Sequence, residues 1–255
     1  MPRLSHTDWP ARLWVVRHGQ SAGNVARDAA ESQGLHLIDL VTRDADAPLS
    51  ALGNAQAAAL AQWFAQMPAA ERPCSFLVSP FVRAQQTLWA VTDAMAVDRD
   101  DIHVDERLRE KEFGVLDGYT RAGIEAKFPE LHAQRALVGK FYFRPPGGES
   151  WCDVILRLRS VIDTITREYR RERLLIVAHQ VIVNCFRYLL ECLDEAAILA
   201  MDKAADVPNC GVTEYALEGV GGDLRFLQQR ANFVLPLLEA GAPVTTAKDQ
   251  PVGPK

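Results

Sequence analysis

A chain of 255 residues, 48% hydrophobic and 24% charged, carries enough apolar mass for one large domain or two small ones. Its 28 Lys and Arg stand against 33 Asp and Glu, a mild net acidity of −5 that argues against a nucleic-acid or membrane-surface binder, whose footprint is a basic excess or stripe. An anionic substrate must therefore be drawn by a local cluster of cations and not by the overall field. No apolar run of about 20 residues occurs, and the opening stretch MPRLSHTDWPARL lacks the apolar core of a signal peptide, so a cytoplasmic location is expected. The five cysteines are odd in number and form no C-x-x-C pair, so they read as small hydrophobes in a reduced compartment.

Strand and helix patterns alternate along the chain. Residues 12–17 read as a strand, and Ser50 caps an Ala-rich helix over 51–67. Residues 74–79 (CSFLVS) form a second strand, after which Ser79 is expected to cap a helix with Pro80 at its first position. That helix runs to about Met95 and carries Arg83 in its first turn. Further on, Ser150 and Asp153 have the spacing of a capping box. Trp151, Val154, Ile155, Leu158, Val161, Ile162 and Ile165 then recur at helical spacing. LLIVA (174–178) is a third strand, 181–193 another helix, and GVTEYAL and LRFLQQ, separated by EGVGGD, a terminal hairpin.

Short unbroken apolar strands alternating with amphipathic helices predict a three-layer α/β/α sandwich, its sheet mostly parallel and covered on both faces. One domain is expected over residues 1–240, with 119–146 as a lid insert. The stretch 241–255, rich in Pro, Thr and Lys, is expected to be a disordered tail.

Open α/β sheets bind ligands at the carboxyl ends of their strands. The first predicted strand ends in Arg17 and His18, the second leads through Ser79 and Pro80 to Arg83, and the third ends in Ala178 and His179. Two imidazoles and two guanidiniums thus converge on one rim from distant segments. The planar guanidinium fork suits a phosphoryl group. Nearby positive charge biases an imidazole toward its neutral form, and neutral histidine is a competent nucleophile toward phosphorus. Taken singly, a strand-end histidine is more often a structural hydrogen bonder and Arg83 a solvated helix charge. Their convergence favours a site.

Five blocks carry a resemblance: RHGQSAGN (17–24), SPFVRAQQT (79–87), LREKEFGVLDG (108–118), PPGGESWCDV (145–154) and AHQ (178–180). In this order they resemble the histidine phosphatase superfamily, also called phosphoglycerate-mutase-like, from residue 12 to about 217. The resemblance implies that His18 attacks phosphorus and becomes a phosphohistidine that water hydrolyses. It implies that Arg17, Arg83 and His179 hold the phosphoryl oxygens with help from Asn24, and that Glu110 protonates the departing oxygen and then activates the water. No metal or other cofactor is implied, and no Cys or His spacing suggests a metal site. From the residues alone, Glu110 cannot be told from Glu106, Glu112 and Glu125. Glu149 and Ser150 match the family's GES block, although Ser150 reads equally as a helix start. His6, His36, His103 and His132 match no block and read as surface or packing residues. Cys185 and Cys192 share one helical face, which reads as core packing.

Gln180 stands where many members of the family carry glycine, and AHQVIVNCFRYLLE is more similar to the fructose-2,6-bisphosphatase domain, which points toward sugar phosphates. The segment from Glu110 to GGES is shorter than in the glycolytic mutases, so the expected activity is metal-independent phosphomonoester hydrolysis. The alternatives are a phosphoglycerate-type mutase and a non-catalytic phospho-ligand binder; a pure binder has no need of a leaving-group acid. In the lid, Arg121, Lys127, Lys140, Tyr142 and Arg144 could meet a sugar or second phosphate, as could Arg27 and Arg43 from the insert before PLS. A solvated helix with a packed aromatic cluster explains the lid residues equally well. The expected partner is a small phosphorylated substrate, with no nucleic acid and no membrane; homodimerisation stays open.

Overall fold

A computed structural model describes residues 8–220 and 223–246. Four parallel strands form the body of the sheet: β1 (Arg12–Arg17), β2 (Ser75–Val78), β3 (Ile102–Val104) and β4 (Arg173–Ala178). Two antiparallel strands, β5 (Val212–Val220) and β6 (Asp223–Phe233), extend it past β1, giving the order β3-β2-β4-β1-β5-β6. The mostly parallel three-layer sandwich is the architecture that the alternating pattern predicts.

The unbroken apolar runs are explained by the two faces of the sheet. Leu13, Val15, Leu174 and Ile176 point to one side, where α6 (Trp151–Glu168) and α7 (Gln180–Leu190) cover them. Trp14, Val16, Leu175 and Val177 point to the other, under α2 (Ala51–Gln66) and α3 (Val82–Ala94). Alternate residues go to opposite faces, and a strand buried on both has no polar position to spare. The Ser150–Asp153 capping box opens α6 as its spacing requires.

Several local features differ from the sequence-based expectations. Helix α3 starts at Val82, with Phe81 as its cap residue and Pro80 outside it. Ser79 lies two residues before the cap, its Oγ accepting the Phe81 backbone N–H at 3.3 Å and lying 2.7 Å from His179 Nε2. Helix α7 starts one residue early, at Gln180, and ends at Leu190. The segment expected as a lid contains two helices, α4 (Arg121–Lys127) and α5 (Pro129–Val138), and a small core of Leu116, Ile124 and Phe143. Helices α1 (Ala22–Ser32), α8 (Glu195–Ala204) and α9 (Leu235–Glu239) complete the chain.

The stretch after Gly241 also departs from expectation. Its first residues are held to the body, with Thr245 hydrogen-bonded to Gln56 and Asn209, two buried amides that composition does not reveal. Residues 247–255, the two residues at the tip of the hairpin and the segment containing His6 lie outside the described residues.

Where α2 begins, its backbone presses on the loop after β1. A Cβ on Gly53 would lie 1.9 Å from the Gln20 carbonyl oxygen. We expect Gly53→Ala to displace that loop and cost about 1–3 kcal/mol in urea denaturation, the usual range for overpacking. Unchanged stability would contradict this close fit.

Candidate active site

The register of the parallel strands builds the site. Arg17 pairs with Ala178, and Val78 with Val177, so the residues that follow each strand emerge side by side. His18 is fully buried, and its backbone N–H bonds to the Ala178 carbonyl at 2.9 Å. Its ring Nδ1 lies 2.7 Å from the carbonyl oxygen of Gly19. A carbonyl only accepts, so Nδ1 carries the proton. The other nitrogen, Nε2, accepts from Arg83 Nε at 3.2 Å and is therefore bare. This geometry makes His18 a neutral imidazole with one lone pair facing a guanidinium.

Around that lone pair the structure gathers the other strand-end residues. The His179 ring stands edge-on to His18, with centroids 5.1 Å apart, and Ser79 holds its Nε2. Arg17 is anchored from behind by a 2.6 Å bond to the Val207 carbonyl. Arg83 is held by the Asp44 carboxylate at 2.9 Å, while Phe81 lies against its guanidinium. Asn24 is buried in the first turn of α1, where its side chain completes a capping box with Ser21.

Glu110 lies in the stretch between the short turn Glu106–Leu108 and the turn Gly114–Leu116, 4% exposed. Its Oε1 accepts the Lys111 backbone N–H at 2.7 Å, and its own carbonyl accepts from Arg157. Of the four glutamates the sequence could not separate, Glu110 is the buried one; Glu106, Glu112 and Glu125 are not. Glu149 supports this segment from below, paired with Arg109 and Arg157 and accepting the Glu112 N–H. Burial alone would raise its carboxyl, but the Arg157 hydrogen bond and charge outweigh that and hold it below the ordinary carboxylate range.

The outer candidates divide differently from the expectation. Gln180 sits at the start of α7, its amide bonded to Asp206 at 3.0 Å, and Arg27 is buried in α1. Lys140 pairs with Asp202, Arg144 with Asp153, and the Tyr142 hydroxyl with Glu195, which raises its pKa. These three are committed to carboxylates of α6 and α8. Arg43 and Arg121 are likewise engaged by Asp46 and Glu125. Sequence reasoning passed over Lys111, Asp44 and Ser79. Lys111 lies 4.3 Å over the Phe113 ring, and burial pushes its ammonium down to about 8, opposed by the charges of Glu110 and Glu149. Its position directly after Glu110 was the available signal.

Two imidazoles and two guanidiniums at the carboxyl ends of parallel strands define an α/β protein equipped for phosphoryl chemistry. A family model, that of the histidine phosphatase superfamily (branch 1), matches residues 13–230, and the chain belongs to that superfamily. It is 30% identical over 233 residues to a 2,3-bisphosphoglycerate-dependent phosphoglycerate mutase of Gloeobacter violaceus, covering 89% of this chain and 94% of the relative. It is 29% identical over 180 residues to the 6-phosphofructo-2-kinase/fructose-2,6-bisphosphatase of Caenorhabditis elegans, covering 69% of this chain and 33% of that one. It also spans only 52% of three mycobacterial relatives. Among solved structures, a mycobacterial glucosyl-3-phosphoglycerate phosphatase superposes with a TM-score of 0.66 at 26% identity, over 87% of this chain and 98% of that one. Among the described residues no helix is long and apolar enough to cross a membrane.

The Glu149 pairing has a pH signature. A carboxyl whose folded pKa is depressed stabilises the fold above its ordinary value of 4.5 and loses that contribution as pH falls through the folded value. We expect Glu149→Gln to be less stable than the parent at neutral pH, with the deficit closing in acid, as read by urea denaturation. A deficit that persists unchanged at acid pH would contradict the ion pair as its source.

Proposed function

We propose that this chain is a metal-independent phosphomonoester hydrolase that works through a phosphohistidine at His18 Nε2. Its substrate class would be small phosphorylated metabolites such as sugar phosphates. The observation that carries the reading is the oriented ring: Nδ1 is bonded to the Gly19 carbonyl, and Nε2, which carries no proton, accepts from Arg83.

In this reading the Nε2 lone pair forms the N–P bond while the ester P–O bond breaks. Glu110, protonated, gives its proton to the departing alkoxide. The resulting carboxylate takes a proton from water, whose oxygen attacks phosphorus. The N–P bond then breaks, phosphate leaves, and the neutral imidazole and protonated Glu110 are restored. Arg17, Arg83, His179 and Asn24 hold the phosphoryl oxygens, donors fixed in place where charge accumulates. Gln180 and Arg27 are assigned to the rest of the substrate. The mutase reading is favoured by the Gloeobacter relative, a phosphoglycerate mutase by name, and requires transfer in place of net release.

The test is phosphate release from a panel of sugar phosphates, phosphoglycerates, nucleotides and a phosphopeptide, with chelator present. Release by the parent and none by folded His18→Ala is the expected result. Turnover surviving in His18→Ala would overturn the nucleophile, loss with chelator would overturn metal independence, and transfer between phosphoglycerates without release would establish the mutase.

Glu110→Gln tests the acid separately. We expect kcat/KM on alkyl phosphates, which reports only the step that forms the phosphohistidine, to fall roughly 10²- to 10⁴-fold, the usual worth of a positioned acid. Much of that loss should be recovered with p-nitrophenyl phosphate, whose leaving group needs no proton. An equal loss on both substrates would contradict the assignment.

A further inference from the structure

The loop that carries His18 is gripped from behind at two points. Asn209 donates its side-chain N–H to the His18 carbonyl at 3.1 Å, and Gln56 accepts the Gln20 backbone N–H at 2.9 Å. Both amides are fully buried, and between the two gripped residues lies Gly19, whose carbonyl orients the His18 ring. The segment after α9 joins the two grips. Gln56 donates to the Pro243 carbonyl and to the Thr245 hydroxyl, each at 2.9 Å. That hydroxyl in turn donates to Asn209 Oδ1 at 2.9 Å, and the Thr245 carbonyl accepts the Asn209 backbone N–H at 2.9 Å.

We propose that Pro243–Thr245 is a strap that positions the His18 loop, acting through Asn209 and Gln56. The proposal rests on the phosphohistidine reading. Its physical content is a polarity relay. A side-chain amide has an acceptor end and a donor end, and a hydroxyl can accept one hydrogen bond while donating another. The Thr245 hydroxyl takes the donor end of Gln56, which leaves the Gln56 oxygen for Gln20 N–H. It gives its proton to the acceptor end of Asn209, which leaves the Asn209 N–H for the His18 carbonyl. Without the hydroxyl, Asn209 could flip and set its oxygen against the His18 carbonyl, whereas Gln56 stays oriented by the Pro243 carbonyl. The strap also reaches the phosphate clamp, because the segment carrying Asn209 includes the Val207 carbonyl that holds Arg17 and the Cys210 N–H that bonds to the Arg17 carbonyl. Thr245, Asn209 and Gln56 are positioning residues in this account and touch no reacting atom.

The test compares Thr245→Val, which keeps the shape and loses the hydroxyl, with Thr245→Ser, which keeps the hydroxyl. Chains ending at Ala242 and at Thr246 remove and retain the strap. With p-nitrophenyl phosphate as substrate, we expect Thr245→Val and the Ala242 chain to lose about 10- to 100-fold in kcat, with KM within about twofold, the range for a small misplacement of a reacting group. Thr245→Ser and the Thr246 chain should match the parent. A loss that serine does not rescue, a loss carried by KM, or an unchanged kcat in Thr245→Val would overturn the strap. Its failure is separable from failure of the phosphohistidine reading, which His18→Ala tests alone. Imidazole 15N spectra of His18 read the strap without turnover: the parent should show one Nδ1–H form and Thr245→Val a mixture. Identical spectra would overturn the strap even in a chain that turned nothing over.

Discussion

The 2.7 Å hydrogen bond from His18 Nδ1 to the Gly19 carbonyl leaves the ring one unprotonated nitrogen and sets where it points. A histidine free to rotate would present either nitrogen, and its proton would sit on either. The bond is local, spanning one residue, so everything that fixes the Gly19 peptide also fixes the His18 ring. Gly19 N–H bonds to Thr87 at 3.0 Å, and a Cβ on Gly19 would lie 2.7 Å from the Gly53 carbonyl oxygen. The parallel sheet supplies the remaining constraint, since β4 lies between β1 and β2 and brings His179 and Ser79 to the same rim.

Placing two guanidiniums in a dry pocket is costly unless their N–H groups are met. The protein meets part of each from outside the reacting space: Val207 for Arg17, and the Asp44 carboxylate for Arg83. In the proposed reaction these anchors hold the forks in place before a phosphoryl group arrives, so little reorganisation is needed as charge develops. Lys111 adds a buried ammonium next to Glu110. Burial lowers its pKa to about 8, against the opposing charges of Glu110 and Glu149.

Much of the fold was legible because the strands are buried on both faces and so read as unbroken apolar runs, and because α6 carries its own start signal in Ser150 and Asp153. Strand β3 was not legible: it is three residues long, and Ile-His-Val has neither an apolar run nor an alternation long enough to register. The start of α3 was misplaced because a serine before a proline is ordinary capping chemistry, whereas here Ser79 lies two residues before the cap. The converging strand ends identified His18, Arg83 and His179 from residue chemistry, whereas Glu110 was separated from its neighbours only by the family resemblance. Lys140, Tyr142 and Arg144 have carboxylate partners 9 to 62 residues off in sequence, which no local pattern reveals. The docked segment after Gly241 escaped notice for the same reason, since its acceptors and donors sit on Gln56 and Asn209.

In the proposed reaction Nε2 of His18, and no other atom, takes the phosphoryl group. The most direct measurement is to quench the enzyme during turnover of a 32P-labelled phosphomonoester, digest it in alkali, where phosphohistidine survives, and identify the labelled atom. The proposed reaction requires Nε2-phosphohistidine from the peptide containing His18, and no label in His18→Ala. Label on Nδ1 or on another residue, or turnover with no labelled intermediate under conditions where breakdown is slowed, would contradict it.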